Sequence, residues 1–305
     1  NEFNPKLVTI TMVQTLTSKV KTKIGEFYVK MRNAGFDLVF YDETHKTTTG
    51  PKFALSSLFL NTKNIIGLTA TPYGDDIHSF FMKNIIGEIL YEFTEYDTLP
   101  KIHFINYKSG LGKQHFWQIA RISDYIKRIG IYNSIVTKSP VYLDILLKLT
   151  TKLVAANRKT IIIVSTVQQL QKIIEHFKEN NIDPRPLYAK EQFIDKEKDN
   201  VIVATYKLAS HGFDYSELSC LILATPLKGK TSLIQTIGRI LRRHEGKKEP
   251  LVFDLIDHDF GTIFSETVFA KKAIINTVIS RFIFSPKNKK DNMVEKISVL
   301  LLIKL

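Results

Sequence analysis

The sequence of 305 residues predicts an α/β protein made of two domains, each with a parallel sheet. Short apolar runs alternate with amphipathic stretches, which is typical of βαβ units whose strands are buried on both faces. This alternation is interrupted once, over Glu92 to Lys101, where Pro100 breaks a polar stretch. The length is sufficient for two domains of ordinary size, each with its own core.

The first series of elements precedes that interruption. Its members are Leu7 to Val13, Val20 to Ala34, Leu38 to Tyr41, Lys52 to Phe59 and Ile65 to Leu68. In this order, apolar runs alternate with the amphipathic stretches Val20 to Ala34 and Lys52 to Phe59, as strands alternate with helices in βαβ units.

The second series follows a basic, aromatic segment that extends to about Tyr132 and that we predict to be irregular. Its helices are expected over Tyr142 to Ala155, Val167 to Asn180 and Leu233 to Arg243, and its strands over Thr160 to Val164, Val201 to Ala204, Leu218 to Ala224 and Leu251 to Leu255. We therefore place the first domain at 1–97, the second at 98–284 and an extension at 285–305, whose apolar run Ile297 to Ile303 is expected to dock as a helix or strand.

Composition limits the classes of function. The net charge of +13 favours a polyanionic partner, although many basic proteins only carry solvated lysines. The single cysteine, Cys220, excludes an internal disulfide and any zinc site built from several cysteines. No apolar run approaches the ~20 residues that span a bilayer, so we expect no membrane partner and a soluble, intracellular protein.

Two acids follow the strand Leu38 to Tyr41 directly. Ligands of parallel sheets bind at the carboxyl ends of the strands, where Asp42 and Glu43 are expected to lie. A carboxylate there can hold Mg²⁺ on a nucleotide, and a second one can orient the attacking water in phosphoryl transfer. We assign the metal to Asp42 and the water to Glu43. An isolated Asp-Glu pair would more simply stabilise the start of a helix.

Two further segments carry groups suited to phosphate chemistry. The strand Ile65 to Leu68 continues into Thr69-Ala70-Thr71-Pro72, which places two hydroxyls at a strand end. The segment Gln235 to Arg242 contains Arg239 and Arg242, which would share one face of a helix and reach the same phosphate cluster. A basic solvated helix face is the simpler alternative for the arginines.

Taken together, these segments resemble the motifs of superfamily 2 DExH-type helicases, and in particular phage recombination and branch-migration helicases of the UvsW type. The matching residues are Asp42-Glu43-Thr44-His45, Thr69-Ala70-Thr71-Pro72, Val201 to Thr205 with Gly212 and Asp214, and Gln235-Thr236-Ile237-Gly238-Arg239-Ile240-Leu241-Arg242. The resemblance implies two RecA-like domains, ATP and Mg²⁺ as cofactors, and nucleic acid as the partner.

The resemblance also implies a role for individual residues. Catalysis would use Asp42, Glu43, Gln235, Arg239 and Arg242, with the arginines acting on the γ-phosphate. Gly212, Asp214 and Gly238 would face the nucleotide, and Asp42 would hold Mg²⁺ through ATP. Thr69, Thr71 and His45 would couple ATP to nucleic-acid movement, and Thr11, Gln14 and Thr205 would contact nucleic acid.

The family's P-loop, GxxxxGK[ST], is absent from the sequence before Asp42. Ser109 to Gln114 is similar, but Tyr107 and Gln114 replace two of the required residues. We expect a surface loop there, with Lys113 available to nucleic acid beside Trp117. We interpret the first domain as truncated at its N-terminus. Upstream sequence, a companion polypeptide or true loss would each explain the missing P-loop.

The function that we predict is an ATP-dependent helicase or translocase, inactive without a P-loop, that acts on DNA in recombination, repair or replication. RNA is the alternative nucleic-acid partner. If the source is a virus, the expected location is the host cytoplasm. Two alternatives remain open. One is a helicase-like nucleic-acid-binding partner without catalysis, and the other is the motor subunit of a restriction system.

Overall fold

The computed structural model describes residues 6–12, 26, 29–44, 62, 64–69, 76–91, 99–188, 194–209, 215–226, 230–264 and 302–303. Its elements in chain order are β1 (Leu38–Tyr41), β2 (Asn64–Gly67), α1 (Asp76–Ile85), β3 (Lys101–Tyr107), α2 (Lys113–Ala120), α3 (Tyr125–Val136), α4 (Pro140–Ala155), β4 (Thr160–Val164), α5 (Val167–Glu179), β5 (Arg185–Leu187), β6 (Val201–Thr205), α6 (Tyr206–Ala209), β7 (Cys220–Leu223), α7 (Lys230–Ile240), β8 (Leu251–Asp257), a 3₁₀ turn (His258–Phe260) and β9 (Leu302–Ile303).

The chain forms two compact units, one of residues 1–93 with 287–305 and the other of residues 94–286. In the first unit, β1 lies between β2 and β9. It pairs with β2 in parallel and with β9 in the antiparallel sense. A small core packs against the inner face of β1, and its buried members are Met31, Ala34, Phe36, Val39 and Tyr41.

The second unit contains a six-stranded sheet in the order β3-β8-β7-β4-β6-β5. Every neighbouring pair in this sheet is parallel. All six strands therefore end at the same edge, which is the edge where ligands of open α/β sheets bind. This architecture confirms the predicted α/β class with a RecA-like parallel sheet.

Strand β4 shows why the sequence folds this way. All five of its residues are buried. Alternate side chains point to opposite faces of a sheet, so Ile162 and Val164 enter one core and Ile161 and Ile163 enter the other. A continuous run of β-branched residues satisfies both faces at once, which is the pattern expected of a central parallel strand.

Three helices of the second unit, α3, α4 and α5, begin at polar side-chain caps. The side chains of Asp124, Ser139 and Thr166 accept hydrogen bonds from the backbone N–H three residues later, at the starts of α3, α4 and α5. Each cap satisfies an amide that the helix itself cannot pair, which typically contributes about 1 kcal/mol. Pro140 occupies the first turn of α4, where its missing N–H is not needed.

A buried polar network joins α4, α5 and β7 near the carboxyl edge of the sheet. The Tyr142 hydroxyl donates to the carbonyl of Ala224 at 2.8 Å. The Gln169 side-chain amide donates to the Tyr142 oxygen at 2.8 Å, and its carbonyl accepts from the Ser165 N–H at 3.0 Å. Because buried polar groups are costly when unpaired, this network fixes the ends of β4 and β7.

Several predicted elements agree closely with the structure, and others are wrong. Residues 101–132 are not irregular, because they form β3, α2 and most of α3. Strand β3 was obscured because it lies at the edge of its sheet, where Lys101, His103 and Asn106 interrupt the apolar pattern. The short edge strand β5 contains Pro186 and was also not predicted.

The described part of the predicted strand Leu7 to Val13 is not a strand. Residues 6–12 contain only an isolated bridge at Val8, and Leu7, Ile10 and Met12 are exposed. An apolar run becomes a strand only where a neighbouring strand and a core accept it. The segment Lys52 to Phe59 lies outside the described residues, whereas the tail contributes β9 as expected of a docking strand.

Within the described parts of the chain, no helix is both long enough and apolar enough to cross a membrane.

Candidate nucleotide and nucleic-acid site

The two acids that follow β1 lie in a tight turn at the carboxyl end of that strand. Asp42 is exposed, and its Oδ1 accepts a hydrogen bond from the backbone N–H of Glu43 at 2.9 Å. Glu43 is half-buried and has a φ of 50°, in the left-handed region that few non-glycine residues adopt. Such backbone conformations cost about 1–3 kcal/mol and cluster at functional sites.

Thr44 fixes this turn to the end of the neighbouring strand. Its side chain is 1% exposed. Its hydroxyl lies within hydrogen-bonding distance of two carbonyl oxygens, that of Tyr41 at 2.9 Å and that of Leu68 at 3.1 Å. Its backbone N–H also donates to Leu68 O at 3.0 Å, and Leu68 N–H donates to Tyr41 O at 2.8 Å. The turn with the acids and the segment that begins at Thr69 are therefore held together.

Gly67 leaves the space that Thr44 occupies. A Cβ at this position would lie 2.7 Å from Thr44 Oγ1, 2.8 Å from Ile86 Cγ2 and 2.9 Å from Thr44 Cγ2. These distances are shorter than real Cβ contacts, so only glycine fits without rearrangement. The sequence reasoning assigned no role to Thr44 or Gly67. The available signal was a hydroxyl after the acids and a glycine at the end of the next apolar run.

The chemistry of this turn fits Mg²⁺ bound through a nucleotide. Magnesium prefers oxygen ligands, keeps several waters and needs only one or two carboxylates when phosphates supply the rest. The exposed carboxylate of Asp42 meets that requirement at the ligand-binding edge of a parallel pair. Among the described residues there is no cluster of three or more His, Cys, Asp or Glu that could hold a metal alone.

The other sequence-predicted residues of the first unit are only partly described. Thr69 is half-buried directly after Leu68, and Thr11 is half-buried in the segment 6–12. His45, Thr71 and Gln14 lie outside the described residues. Of the predicted residues, Asp42 and Glu43 directly precede Thr44, and Thr69 directly follows Leu68. The hydrogen bonds between Thr44 and Leu68 therefore bring these two segments together.

In the second unit, Thr205 is the last residue of β6 and is half-buried at the carboxyl edge of the six-stranded sheet. A hydroxyl in this position lies where ligands of such sheets bind. Gly212 and Asp214 lie outside the described residues.

The arginine motif is arranged differently from the prediction. Helix α7 ends at Ile240, so Gln235, Gly238 and Arg239 are helical, whereas the exposed Arg242 lies beyond the helix end. The prediction that Arg239 and Arg242 share a helix face is therefore wrong. Gln235 and Arg239, which are four residues apart, share a face instead.

Lys247 anchors the main chain at Arg242. Its ammonium donates to the carbonyls of Arg242 at 2.7 Å and Ser216 at 2.8 Å. Burial, and secondarily the charge of Arg242, lowers the pKa of Lys247 to about 8. Lys247 thus connects the non-helical segment that contains Arg242 to the loop before β7.

The P-loop-like segment after β3 is occupied by carboxylates. Asp257 Oδ1 accepts from the Ser109 N–H at 3.2 Å. Asp259 Oδ2 accepts from the Gly110 N–H at 2.8 Å and from the Ser109 hydroxyl at 3.4 Å. A phosphate-binding loop needs such amides for the phosphate oxygens. This loop therefore does not have the arrangement of a nucleotide loop.

Comparison with protein families gives one match. Residues 142–244, which include α4 to α7, match the helicase conserved C-terminal domain. The match contains Thr205, Gln235, Arg239 and Arg242.

Two curated viral proteins are similar to this chain. "Putative helicase 22" of Sulfolobus islandicus filamentous virus is 28% identical over 244 residues, which cover 73% of this chain and 43% of that protein. The "ATP-dependent DNA helicase uvsW" of Enterobacteria phage T4 is 44% identical over 57 residues, or 19% of this chain and 11% of that protein. The chain thus spans less than half the length of either relative.

Among solved structures, the S. cerevisiae Dbp5 variant L327V bound to RNA and ADP BeF3 has a similar fold. The TM-score is 0.53 with 13% sequence identity, and the alignment covers 84% of this chain and 68% of that one. At this identity the likeness concerns the fold.

Proposed function

We propose that this chain is part of an ATP-dependent helicase or translocase acting on DNA. The proposal starts from its similarity to viral helicases and from the match of residues 142–244 to the helicase conserved C-terminal domain. The observation that carries the proposal is the acid turn after β1. It presents Asp42 and Glu43 at the carboxyl end of a parallel strand and is hydrogen-bonded through Thr44 to the segment that begins at Thr69.

The acid turn has the groups that hydrolysis of a phosphoanhydride requires. Bound MgATP supplies the phosphoryl group that is transferred to water. Asp42 would hold the magnesium ion on the phosphates, as a single carboxylate does at such sites. Glu43 would accept a proton from the attacking water and orient it.

The second unit would contribute positive charge. Arg239 and Arg242 are proposed to stabilise the charge that develops on the γ-phosphate, because a guanidinium donates in a planar fork that matches phosphate oxygens. Gln235 would assist from the same face of α7 as Arg239, and Gly238, Gly212 and Asp214 would face the nucleotide.

Coupling and nucleic-acid contacts are proposed for residues at the ends of strands. Thr69, Thr71 and His45 would transmit the state of the nucleotide site, and Thr11, Gln14, Thr205 and Lys113 would contact nucleic acid. Support for DNA comes from the name of the phage T4 relative, whereas the similar Dbp5 structure contains RNA. Recombination, repair or replication are the processes that we propose for a DNA motor.

The first unit has no segment with the pattern GxxxxGK[ST] before Asp42. We propose that sequence outside these 305 residues, in the same polypeptide or in a companion, supplies the phosphate-binding amides and lysine of a P-loop. The chain alone would then bind nucleic acid without turning over ATP.

A second candidate function is nucleic-acid binding without catalysis. It is favoured by one observation, namely that the P-loop-like segment Ser109 to Gln114 donates the amides of Ser109 and Gly110 to Asp257 and Asp259. Under this alternative, ATP turnover stays absent even when flanking coding sequence or a companion protein is added.

The test is phosphate release in the presence of single-stranded DNA or RNA. The chain is assayed alone and joined to the coding sequence that precedes it, with Glu43→Gln and Arg242→Ala as variants and Arg243→Ala as the matched control. Turnover by the extended protein that both variants abolish supports the motor. Nucleic-acid binding without turnover in any form supports the second candidate, and a larger response to RNA would overturn the choice of DNA.

A further inference from the structure

Helix α2 carries an exposed face with an unusual set of side chains for a surface helix. The exposed side chains of this face are Lys113, Gln114, Trp117, Gln118 and Arg121. Arg121 is the C-cap residue of the helix. Because residues four apart lie one turn apart on the same side, Lys113, Trp117 and Arg121 form a row with the indole between two cations. We call these three residues the α2 row. Trp117 is 58% exposed, although a large aromatic side chain is usually buried.

The opposite face of α2 packs on the core of the second unit. Ile119 is completely buried, and Phe116 packs near Phe260 with ring centroids 6.3 Å apart. The Phe116 and Trp117 rings meet edge to face at 5.4 Å. A fixed aromatic ring loses little conformational entropy when a second flat ring stacks on it. The indole contacts one ring of the protein and leaves much of its surface exposed to solvent.

The surroundings of the α2 row are basic. Residues 108–121 contain Lys108, Lys113 and Arg121 but no Asp or Glu. None of these three cations forms an ion pair with any described residue. The carboxylates of Asp257 and Asp259 lie next to Ser109 and Gly110, and they are hydrogen-bonded to the amides of that loop. Alternating cations and an aromatic ring are the groups that hold a single-stranded nucleic acid without reading its sequence.

The α2 row follows a strand that ends at the carboxyl edge of the six-stranded sheet, and Thr205 is the last residue of another such strand. Helix α2 follows the carboxyl end of β3, and Thr205 ends β6 at the same edge of the sheet. Four strand spacings of about 4.8 Å separate β3 from β6, which amounts to about 19 Å.

We propose that the α2 row is a single-stranded nucleic-acid platform, with a base stacked on the Trp117 indole and the flanking phosphates bound by Lys113 and Arg121. The inference rests on the nucleic-acid part of the proposed function and extends it to Trp117 and Arg121. It requires no ATP. The row is specific for single strands, because bases inside a duplex do not offer a free face to the indole.

Trp117 is the only tryptophan of the chain, so its fluorescence reports on this site alone. The full chain is titrated without nucleotide with oligo-dT or oligo-U of about twelve nucleotides and with a hairpin duplex of equal charge. We expect saturable quenching of the indole by both single strands, and little quenching by the duplex. Absence of quenching by single strands overturns the platform and leaves the ATPase test unaffected.

Variants separate stacking from charge. Polarisation of a labelled oligo-dT measures affinity for Trp117→Ala, Trp117→Phe and the double variant Lys113→Ala, Arg121→Ala. The exposed pair Lys148→Ala, Lys152→Ala on α4 is the control with the same change in charge. We expect Trp117→Ala to weaken binding on the order of tenfold and Trp117→Phe to restore most of the loss.

The double variant is expected to lower the dependence of log K on log salt by roughly 1.4, because two phosphate contacts are lost, whereas the control pair leaves it nearly unchanged. Equal losses in the test and control pairs would mean that only the overall charge matters and would overturn the proposal. We expect oligo-U and oligo-dT to stack equally on the indole. Quenching by oligo-U but not by oligo-dT would contradict this expectation and overturn a platform for single strands of either kind.

Discussion

Two turns at the carboxyl ends of parallel strands use carboxylates in opposite ways. After β1, Asp42 is exposed, and its Oδ1 accepts a hydrogen bond from the amide of the next residue, Glu43. After β3, the amides of Ser109 and Gly110 are capped by Asp257 and Asp259. Both turns resemble nucleotide-binding motifs in sequence. The comparison teaches that the partners of the polar groups, and not the letters of a motif, decide which turn can meet a phosphate.

The largest expected effect is on the acid turn. Glu43→Gln in a form of the protein that contains a P-loop should reduce nucleic-acid-stimulated ATP turnover by a factor of at least about 100, because general-base catalysis contributes 10²–10⁴-fold. Binding of ATP should remain, since the amide is nearly isosteric. Steady-state phosphate release and a nucleotide-binding assay measure the two quantities. Unchanged turnover would show that Glu43 does not act as the general base. The two turns would then not differ in the function of their carboxylates.

The cap on the second turn should be purely structural. Asp259→Ala removes hydrogen bonds from a charged acceptor to Gly110 and Ser109, so the free energy of unfolding should fall by about 1.5–3 kcal/mol. Denaturant titration measures this change. Asp183→Ala, which breaks the exposed pair with Lys178, is the control and should cost less than about 1 kcal/mol. ATP binding gained by Asp259→Ala would show that the loop is a masked phosphate site, contrary to our interpretation.

A smaller effect is expected from the contact between the strand ends of the first unit. Gly67→Ala places a methyl group against Thr44 and Ile86 and should cost about 1–3 kcal/mol. Gly130→Ala in α3 is the matched control, because its methyl would meet nothing within 4 Å and should be neutral or stabilising. Both free energies are obtained from denaturant curves. Equal stability of the two variants would show that the strand ends can separate without cost.

The smallest effect concerns pH. Burial raises the pKa of Asp257 above its ordinary value of 3.8. The folded state then binds the proton more tightly than the unfolded state, so the contribution of this group to stability falls as pH rises from 3.8 through the folded pKa. The difference in unfolding midpoint between Asp257→Asn and the wild type should therefore shift in favour of the variant as the pH rises above 3.8. A difference that does not change with pH would contradict the raised pKa.

Much of the second unit could be predicted because its signals are local. The run Thr160 to Val164 is apolar at every position, and its observed limits are the predicted ones. The edge strand β3 could not be predicted in the same way, because one side of it faces no strand and its polar residues look like a loop. Propensity reports what a segment prefers, whereas pairing partners are set by the rest of the chain.

In the candidate site, too, local signals could be predicted from the sequence and contacts between distant segments could not. Asp42 and Glu43 were predicted from their place after an apolar strand, which is a local signal. The end of α7 at Ile240 was not predicted, because no Gly or Pro follows Arg242 at once and the helical pattern continues in the sequence. The Thr44 hydrogen bonds depend on which strand lies beside β1, and no local pattern reveals that.

The complete burial of β4 has a consequence for hydrogen exchange. This strand lies between β6 and β7, so its amides are paired or covered on both sides. Local fraying cannot expose them, and their exchange with deuterium must proceed through unfolding of the whole sheet. The protection of these amides therefore measures the global stability of the second unit, whereas amides of the edge strands β3 and β5 report on smaller openings.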